Sequence, residues 1–289
     1  MGKRFRNLQT NILEGEEMDL QEEYKPKSFS QVVGNSIPIR ILTNMIKKGR
    51  IPKGILFHGP QGSGKTTLAR LFVKALHCRN FLQDVCRICE NCLFFEKRIP
   101  GVTGYEFHDY IKLSGKASST KIPSVDYSYH DCSKMTAKIL DEILLSLRFP
   151  SFSSTGLTIH ILDEFQRASI PLQDKFLVPL EDYRNILLIF CLIDLDKVQQ
   201  PFQQRVRVLM TKRPEIAELL PWLQKICTDK GIILKDSGAL EQVARSADRL
   251  PRGCLSILEK ALLLDEPVST ALVKELAQDL QESKYALEI

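Results

Sequence analysis

No apolar stretch in this sequence is long enough to cross a bilayer. The longest run, Ile186–Ile193, has eight residues, against the ~20 that a spanning helix needs. The N-terminal Met1-Gly2-Lys3-Arg4-Phe5-Arg6 is basic, but no apolar h-region follows it, so a secretory signal peptide is not expected. Charge of one sign is scarce as well. The 40 Lys+Arg and 35 Asp+Glu leave a net +5, too mild an excess to argue for nucleic-acid contact by itself. No internal repeat is visible. Together these absences predict a cytoplasmic protein, and in a reducing compartment the eight cysteines are read as metal ligands or buried thiols before disulfides. What remains is an ordinary globular composition, 44% hydrophobic and 26% charged over 289 residues, enough for one large domain or two modest ones.

The most informative segment is Gly59-Pro60-Gln61-Gly62-Ser63-Gly64-Lys65-Thr66-Thr67, a complete G-x-x-x-x-G-K-T phosphate loop. Its context fits. Ile55-Leu56-Phe57 before it can be a buried strand, and Leu68, Leu71, Phe72, Ala75 and Leu76 after it lie on one side of a helix. In a strand–loop–helix unit the glycines let backbone N–H groups wrap phosphates, and the helix N-terminus adds partial positive charge. Lys65 is then expected at the β- and γ-phosphates of ATP and the Thr66 hydroxyl at Mg²⁺.

Residues 1–22 are polar and of mixed charge and read as a loose arm. From Tyr24 to about Lys212, short apolar strands (54–57, 157–162, 186–192, 206–210) alternate with amphipathic helices such as Ser133–Arg148. That alternation predicts an α/β domain with a parallel sheet over 23–212. After Lys212 the strands stop. Helices are expected from Pro214 to about Asp229, ended by Gly231, then over 238–247, 251–264 and 269–280, making a small all-helical domain over 213–289. The stretch 99–123 is the least regular and reads as a long surface loop or insertion.

Cys78, Cys86, Cys89 and Cys92 fall within fifteen residues. Two consecutive C-x-x-C steps, closed by a cysteine at the end of the helix after the phosphate loop, suit a tetrahedral, structural Zn²⁺ in a small inserted module over 78–92. Spacing alone leaves an iron–sulfur cluster or free buried thiols open. The other four cysteines, Cys132, Cys191, Cys227 and Cys254, read as small buried hydrophobes.

A phosphate-loop ATPase also needs an acid for Mg²⁺ at the end of a buried strand and a base for the attacking water. Leu157–Leu162 followed by Asp163-Glu164, 97 residues beyond Thr66, supplies both: Asp163 for the metal, Glu164 to orient and deprotonate water.

Tyr24-Lys-Pro-Lys-Ser-Phe29-Ser-Gln-Val-Val-Gly34, the phosphate loop, the four cysteines and Asp163-Glu164 together resemble the bacterial DNA polymerase III gamma/tau subunit, the ATPase of the sliding-clamp loader and a member of the AAA+ superfamily. The resemblance runs from about Tyr24 to about Leu280, and cysteines between phosphate loop and Asp-Glu box are its most specific part. It implies an AAA+ domain followed by a helical lid. By the same resemblance Tyr24 and Val33 lie near the adenine. Arg205 becomes a trans-acting arginine finger, with an ordinary surface arginine as the alternative. Arg252 becomes a γ-phosphate sensor of the lid, with a plain helix-start arginine as the alternative.

Three departures stand out. Where the family has Thr-Thr at the end of the next strand, this chain has Leu192-Ile193, which removes a polar group expected to position water. Gln204 and Val206 replace the Ser and Cys that flank the finger. The sequence also stops near Ile289, just after the lid, where the family continues into a collar domain; without a collar, assembly would rest on weaker ATPase-domain contacts or on partners. The resemblance implies an ATP-driven clamp-loader motor working with other loader subunits, a sliding clamp and primer-template DNA held without sequence specificity. The alternatives are a weakly hydrolysing scaffold subunit or an AAA+ remodeller of another replication protein.

Overall fold

The computed structural model describes residues 19–96, 127–149, 151 and 153–286. The loop expected over 99–123 lies outside them. The described chain divides into two compact units, 26–214 and a second formed by 215 onward together with the segment up to Lys25.

The larger unit is built on five parallel strands, β1 (Gly54–His58), β2 (Ser128–Asp131), β3 (Thr158–Asp163), β4 (Ile186–Leu192) and β5 (Arg207–Met210), in the order β2-β3-β4-β1-β5. Parallel strands need crossovers that cover both faces, so the central ones are apolar on both sides. β4 is buried at every position. Alternation then sorts its side chains: Leu187, Ile189 and Cys191 join one core, and Leu188, Phe190 and Leu192 the other. The first core is filled by helices α1 (Ser36–Lys47) and α2 (Lys65–His77), through Leu42, Leu68, Phe72 and their neighbours. The second is filled by α3 (Ala137–Ser146) and by a cluster of Phe165, Phe176, Phe190 and Phe202, whose nearest ring centroids are 4.6 Å apart.

Four strands lie where the apolar runs predict them. β2 does not announce itself, because Ser-Tyr-His-Asp at a sheet edge is only half-buried and carries no apolar alternation. The helix expected from Ser133 starts at Ala137 instead. Cys132–Lys134 form a single 3₁₀ turn, and the Thr136 side chain then caps α3 by accepting from the Ile139 N–H at 3.3 Å.

The second unit holds α4 (Ile216–Lys230), α5 (Ala239–Ser246), α6 (Pro251–Leu264) and α7 (Thr270–Ala286) around Leu219, Leu223, Ile226, Val243, Leu258 and Val273. Pro214 is not the first helical residue as expected, because Glu215 and Glu218 form a reciprocal capping box that starts α4 at Ile216, two residues later. Gly231, at φ 66°, ends it as predicted. The stretch read as an arm up to residue 22 ends in structure: Asp19 caps a short helix, Leu20–Glu23. Leu20 is fully buried there and its N–H donates to Glu259 Oε1 at 3.1 Å. Among the described residues no helix is long and apolar enough to cross a membrane.

Candidate functional site

β1 delivers the chain into the phosphate loop, and two glycines fix the loop's path. Gly59 has φ 147°, and a Cβ there would lie 2.2 Å from the Thr211 carbonyl oxygen at the end of β5. Only a residue without a side chain lets the two backbones approach so closely. Gly64, at φ 93°, is the left-handed residue from which α2 begins. Polar contacts hold the loop from the side. Thr211 Oγ1 donates to the His58 carbonyl at 3.1 Å, so at the 2.7 Å contact with Ser63 it is Ser63 that donates. Asn35, itself left-handed at φ 57°, donates to the Ser63 carbonyl at 2.9 Å and accepts the Lys212 N–H at 2.9 Å. Asn35 is a site residue that the sequence reading missed, although the Gly34-Asn35 pair reads as a turn.

Lys65 opens α2 and is buried. Its ammonium donates to the carbonyls of Gly59 and Pro60, both at 2.9 Å. Burial lowers its pKa, and the charges of Asp163 and Glu164 work against that shift. Thr66 Oγ1 donates to Asp163 Oδ2 at 2.7 Å. Loop and strand end, 97 residues apart in sequence, therefore meet as the sequence pattern requires. Asp163 shares the α2-facing side of β3 with Ile159 and Ile161. Hard oxygen donors on Thr66 and Asp163 beside a buried lysine suit Mg²⁺.

Glu164 follows Asp163 in a left-handed conformation, φ 53°, a strained backbone state of the kind found at functional turns. Its carboxylate is held at Oε2 by Gln166 Nε2 at 2.6 Å and by Arg167 Nε at 3.5 Å. Gln166 Oε1 accepts the Ile193 N–H at 3.3 Å. A glutamine two residues beyond the acid thus supplies a polar link to the end of β4, where Leu192 is buried and no side-chain donor is present. No sequence pattern singled Gln166 out. Arg205 precedes β5; its Nε donates to Glu181 Oε1 at 2.5 Å and its Nη1 to the Pro201 carbonyl at 2.7 Å.

Tyr24 and Arg252 belong to the helical unit. Tyr24 Oη donates to Asp229 Oδ2 at 3.4 Å, with its pKa raised to about 12 by burial and then by the Asp229 charge. Arg252 lies in the first turn of α6, which Pro251 opens. Val33 and Gly34 follow a 3₁₀ turn, Phe29–Gln31, in the larger unit.

The four cysteines converge: their sulfurs all lie within 4.8 Å of one another. Thiolates around tetrahedral zinc at ~2.3 Å stand roughly 3.8 Å apart, and the Cys86 and Cys92 sulfurs are 3.9 Å apart. Backbone N–H groups of Cys86 and Cys89 point at Cys78 Sγ and Cys86 Sγ, each at 3.3 Å. Burial opposes a thiolate at Cys86, but the N–H groups of Ile88 and Cys89 outweigh it and bring its pKa down to about 6. The loop is pinned to the unit by Asp84, which accepts the N–H groups of Phe29 and Ser30 at 3.0 and 2.8 Å.

Residues 34–143 match the family model described as "DNA polymerase III, delta subunit". The chain is 28% identical over 287 residues to Protein STICHEL of Arabidopsis thaliana, across 96% of its own length but only 22% of that protein's. It is 26% identical to Protein STICHEL-like 1 of the same plant, again over 22% of the relative. DNA polymerase III subunit gamma/tau of Mycoplasma pneumoniae is 42% identical over 73 residues, 25% of this chain and 11% of that one. The chain thus spans about a fifth of the length of the plant relatives it matches from end to end. Among solved structures, the RuvB Holliday junction branch migration motor of Thermotoga maritima superposes with a TM-score of 0.60 at 14% identity, over 89% of this chain and 73% of that one. The α/β fold is the one that motor has, and parts of the sequence are similar to DNA polymerase III subunits.

Proposed function

We propose that this chain is an ATP-hydrolysing AAA+ module of the clamp-loader type, converting nucleotide binding into the opening and placement of a sliding clamp on primed DNA. The observation that carries this reading is the 2.7 Å contact between Thr66 and Asp163 beside buried Lys65, joined to the clamp-loader similarity over residues 34–143. The backbone of 59–64 and the Lys65 ammonium would hold the β- and γ-phosphates, and Tyr24 and Val33 the adenine. Mg²⁺, when bound, neutralises phosphate charge and orients the γ-phosphate. Thr66 and Asp163 would hold it, and Glu164 would accept the proton of the attacking water. Arg205 would reach a neighbouring subunit's nucleotide after leaving Glu181, and Arg252 would report the γ-phosphate to the lid. Cys78, Cys86, Cys89 and Cys92 would hold a structural Zn²⁺, closed to substrate. Other loader subunits, the clamp and primer-template DNA are the partners of this reading, and the cytoplasm its setting. DNA would be gripped through its backbone, so binding would be salt-sensitive and not sequence-specific.

One observation favours a second reading, a nucleotide-binding scaffold that turns over slowly. The end of β4 offers no side-chain donor, and Glu164 is engaged by Gln166 and Arg167. Steady-state ATP hydrolysis, measured alone and with clamp plus primed DNA and with Glu164→Gln as control, separates the two. Stimulated turnover that vanishes in the variant supports the motor. Tight ATP binding without stimulated turnover refutes it in favour of the scaffold.

A further inference from the structure

β2 carries no sequence signal, yet it contributes a side chain to the metal-binding end of the site. Tyr129 pairs with Ile161 across the β2–β3 ladder. Paired positions share a face, and Asp163 is two residues beyond Ile161 on that same face, so a long side chain at 129 can run along the strand end to Asp163. Its phenol does so, donating to Asp163 Oδ2 at 2.8 Å. That oxygen is the one that accepts from Thr66 at 2.7 Å, while Oδ1 accepts the Glu164 N–H at 3.0 Å. The ring is held in turn by Arg70, whose guanidinium carbon lies 4.7 Å from the ring centroid. Arg70 stands on α2, the helix that Lys65 and Thr66 open. Burial, then the Asp163 charge, raises the phenol's pKa, so it remains a donor at neutral pH.

We propose that Tyr129 is a positioning residue for divalent-cation binding, its hydroxyl fixing the plane of the Asp163 carboxylate that orients the Thr66 hydroxyl. The proposal rests on the ATPase reading above. A terminal carboxylate torsion is broad, and the backbone restrains it at one oxygen only, through the Glu164 N–H at Oδ1. With Tyr129 and Thr66 both donating to it, the carboxylate is locked, and the Thr66 oxygen presents its lone pairs in a preset direction while its own proton points at Asp163. Such outer partners of ligating carboxylates typically contribute 10–100-fold to metal affinity.

Tyr129→Phe removes one oxygen and keeps the ring beneath Arg70. The test is Mn²⁺ titration of the ADP-loaded chain followed by electron paramagnetic resonance, with ADP affinity measured in EDTA and in Mg²⁺ and thermal melts of both proteins. The expected result is a Mn²⁺ half-saturation raised about tenfold, with ADP affinity in EDTA and the melting temperature unchanged. An unaltered Mn²⁺ curve overturns the proposal. So does equal weakening of ADP binding in EDTA and in Mg²⁺, which would mean a general packing role. If the parent chain itself binds ADP with no metal dependence, the ATPase reading fails and takes the proposal with it.

Discussion

Acid should loosen the larger unit through one pair, half-buried His130 on β2 and buried His160 on β3. The rings are stacked with centroids 5.3 Å apart, and His130 Nε2 lies 3.0 Å from His160 Nδ1. Ser146 fixes the proton order. Its hydroxyl donates to the Ile143 carbonyl at 2.6 Å, so at its 2.9 Å contact with His160 Nε2 it accepts. His160 therefore carries its proton on Nε2 and accepts at Nδ1 from His130. A second proton on His160 would set two donors face to face. Burial lowers the pKa of His130 to about 4; burial and then the His130 charge lower that of His160 to about 3. Below the unfolded value of about 6.5, the unfolded chain takes up two protons that the folded one refuses, so stability falls with pH down to the folded pKa values and levels off below them. Each histidine contributes ~1.4 kcal/mol per pH unit in that window, so going from pH 7 to 5 removes about 2 kcal/mol for each and roughly 4 kcal/mol for the pair. Urea unfolding at the two pH values, on the parent chain and on His160→Gln, reads this directly. The variant starts lower but should lose about 2 kcal/mol less over the interval, because one proton uptake is gone. Parallel losses in the two proteins would refute the assignment of the acid sensitivity to this pair.

Gly59→Ala should destabilise the larger unit by about 2–3 kcal/mol, since the new Cβ meets the Thr211 backbone and cannot be relieved by a side-chain rotation; denaturant melts and ADP titration would both register it, and unchanged nucleotide affinity would contradict the close-approach argument. Cys86→Ser should abolish bound zinc, measured by elemental analysis of the purified chain, and lower the melting temperature, whereas Cys254→Ser, in the buried core of the helical unit, should leave the metal content intact. Glu181→Gln removes the charged partner of Arg205 and should raise assembly-dependent ATP hydrolysis severalfold without changing ATP affinity; lower turnover would mean that Glu181 orients the arginine for its task. Gln166→Ala should change kcat more than KM, because the glutamine touches Glu164 and the end of β4 but none of the phosphate-loop groups.

Much of the site was legible because its chemistry needs contiguous residues. A phosphate cradle must be a short glycine-rich turn between strand and helix, and the acids must sit at the end of a strand apolar enough to be buried. Those demands write themselves into runs such as 55–66 and 157–164. The four cysteines were legible for a similar reason, since sulfurs that converge within 4.8 Å of one another from one short loop need short spacings. β2, Tyr129, Asn35 and Gln166 were not. Each acts through a contact across the sheet or the loop, and a single polar residue on a half-buried edge strand looks like any solvated one. The start of α4 was misread at Pro214 because proline and a capping glutamate compete as start signals, and the reciprocal Glu215–Glu218 hydrogen bonds decide it. Arg205 and Arg252 could be singled out only through family resemblance, since nothing in their local sequence requires an arginine there.

Five polar side chains of the candidate site and Tyr129 beside them share one property that bears on how it would work: they are already engaged within the chain. Lys65 lies on loop carbonyls, Thr66 and Tyr129 on Asp163, Glu164 on Gln166, and Arg205 on Glu181. A nucleotide entering this site exchanges hydrogen bonds instead of adding them, and the net gain of one exchanged bond is only about 1 kcal/mol. The Lys65, Glu164 and Arg205 contacts are the ones such chemistry must break. Those of Thr66 and Tyr129 with Asp163 can persist while the Thr66 oxygen turns a lone pair to a cation. The arrangement therefore divides into a fixed half, strand ends and α2 locked around Asp163, and a releasable half in which Glu164 is restrained by Gln166 and Arg167 and Arg205 by Glu181. Binding affinity would come from the fixed half. Turnover would depend on what releases Glu164 from Gln166 and Arg167 and Arg205 from Glu181.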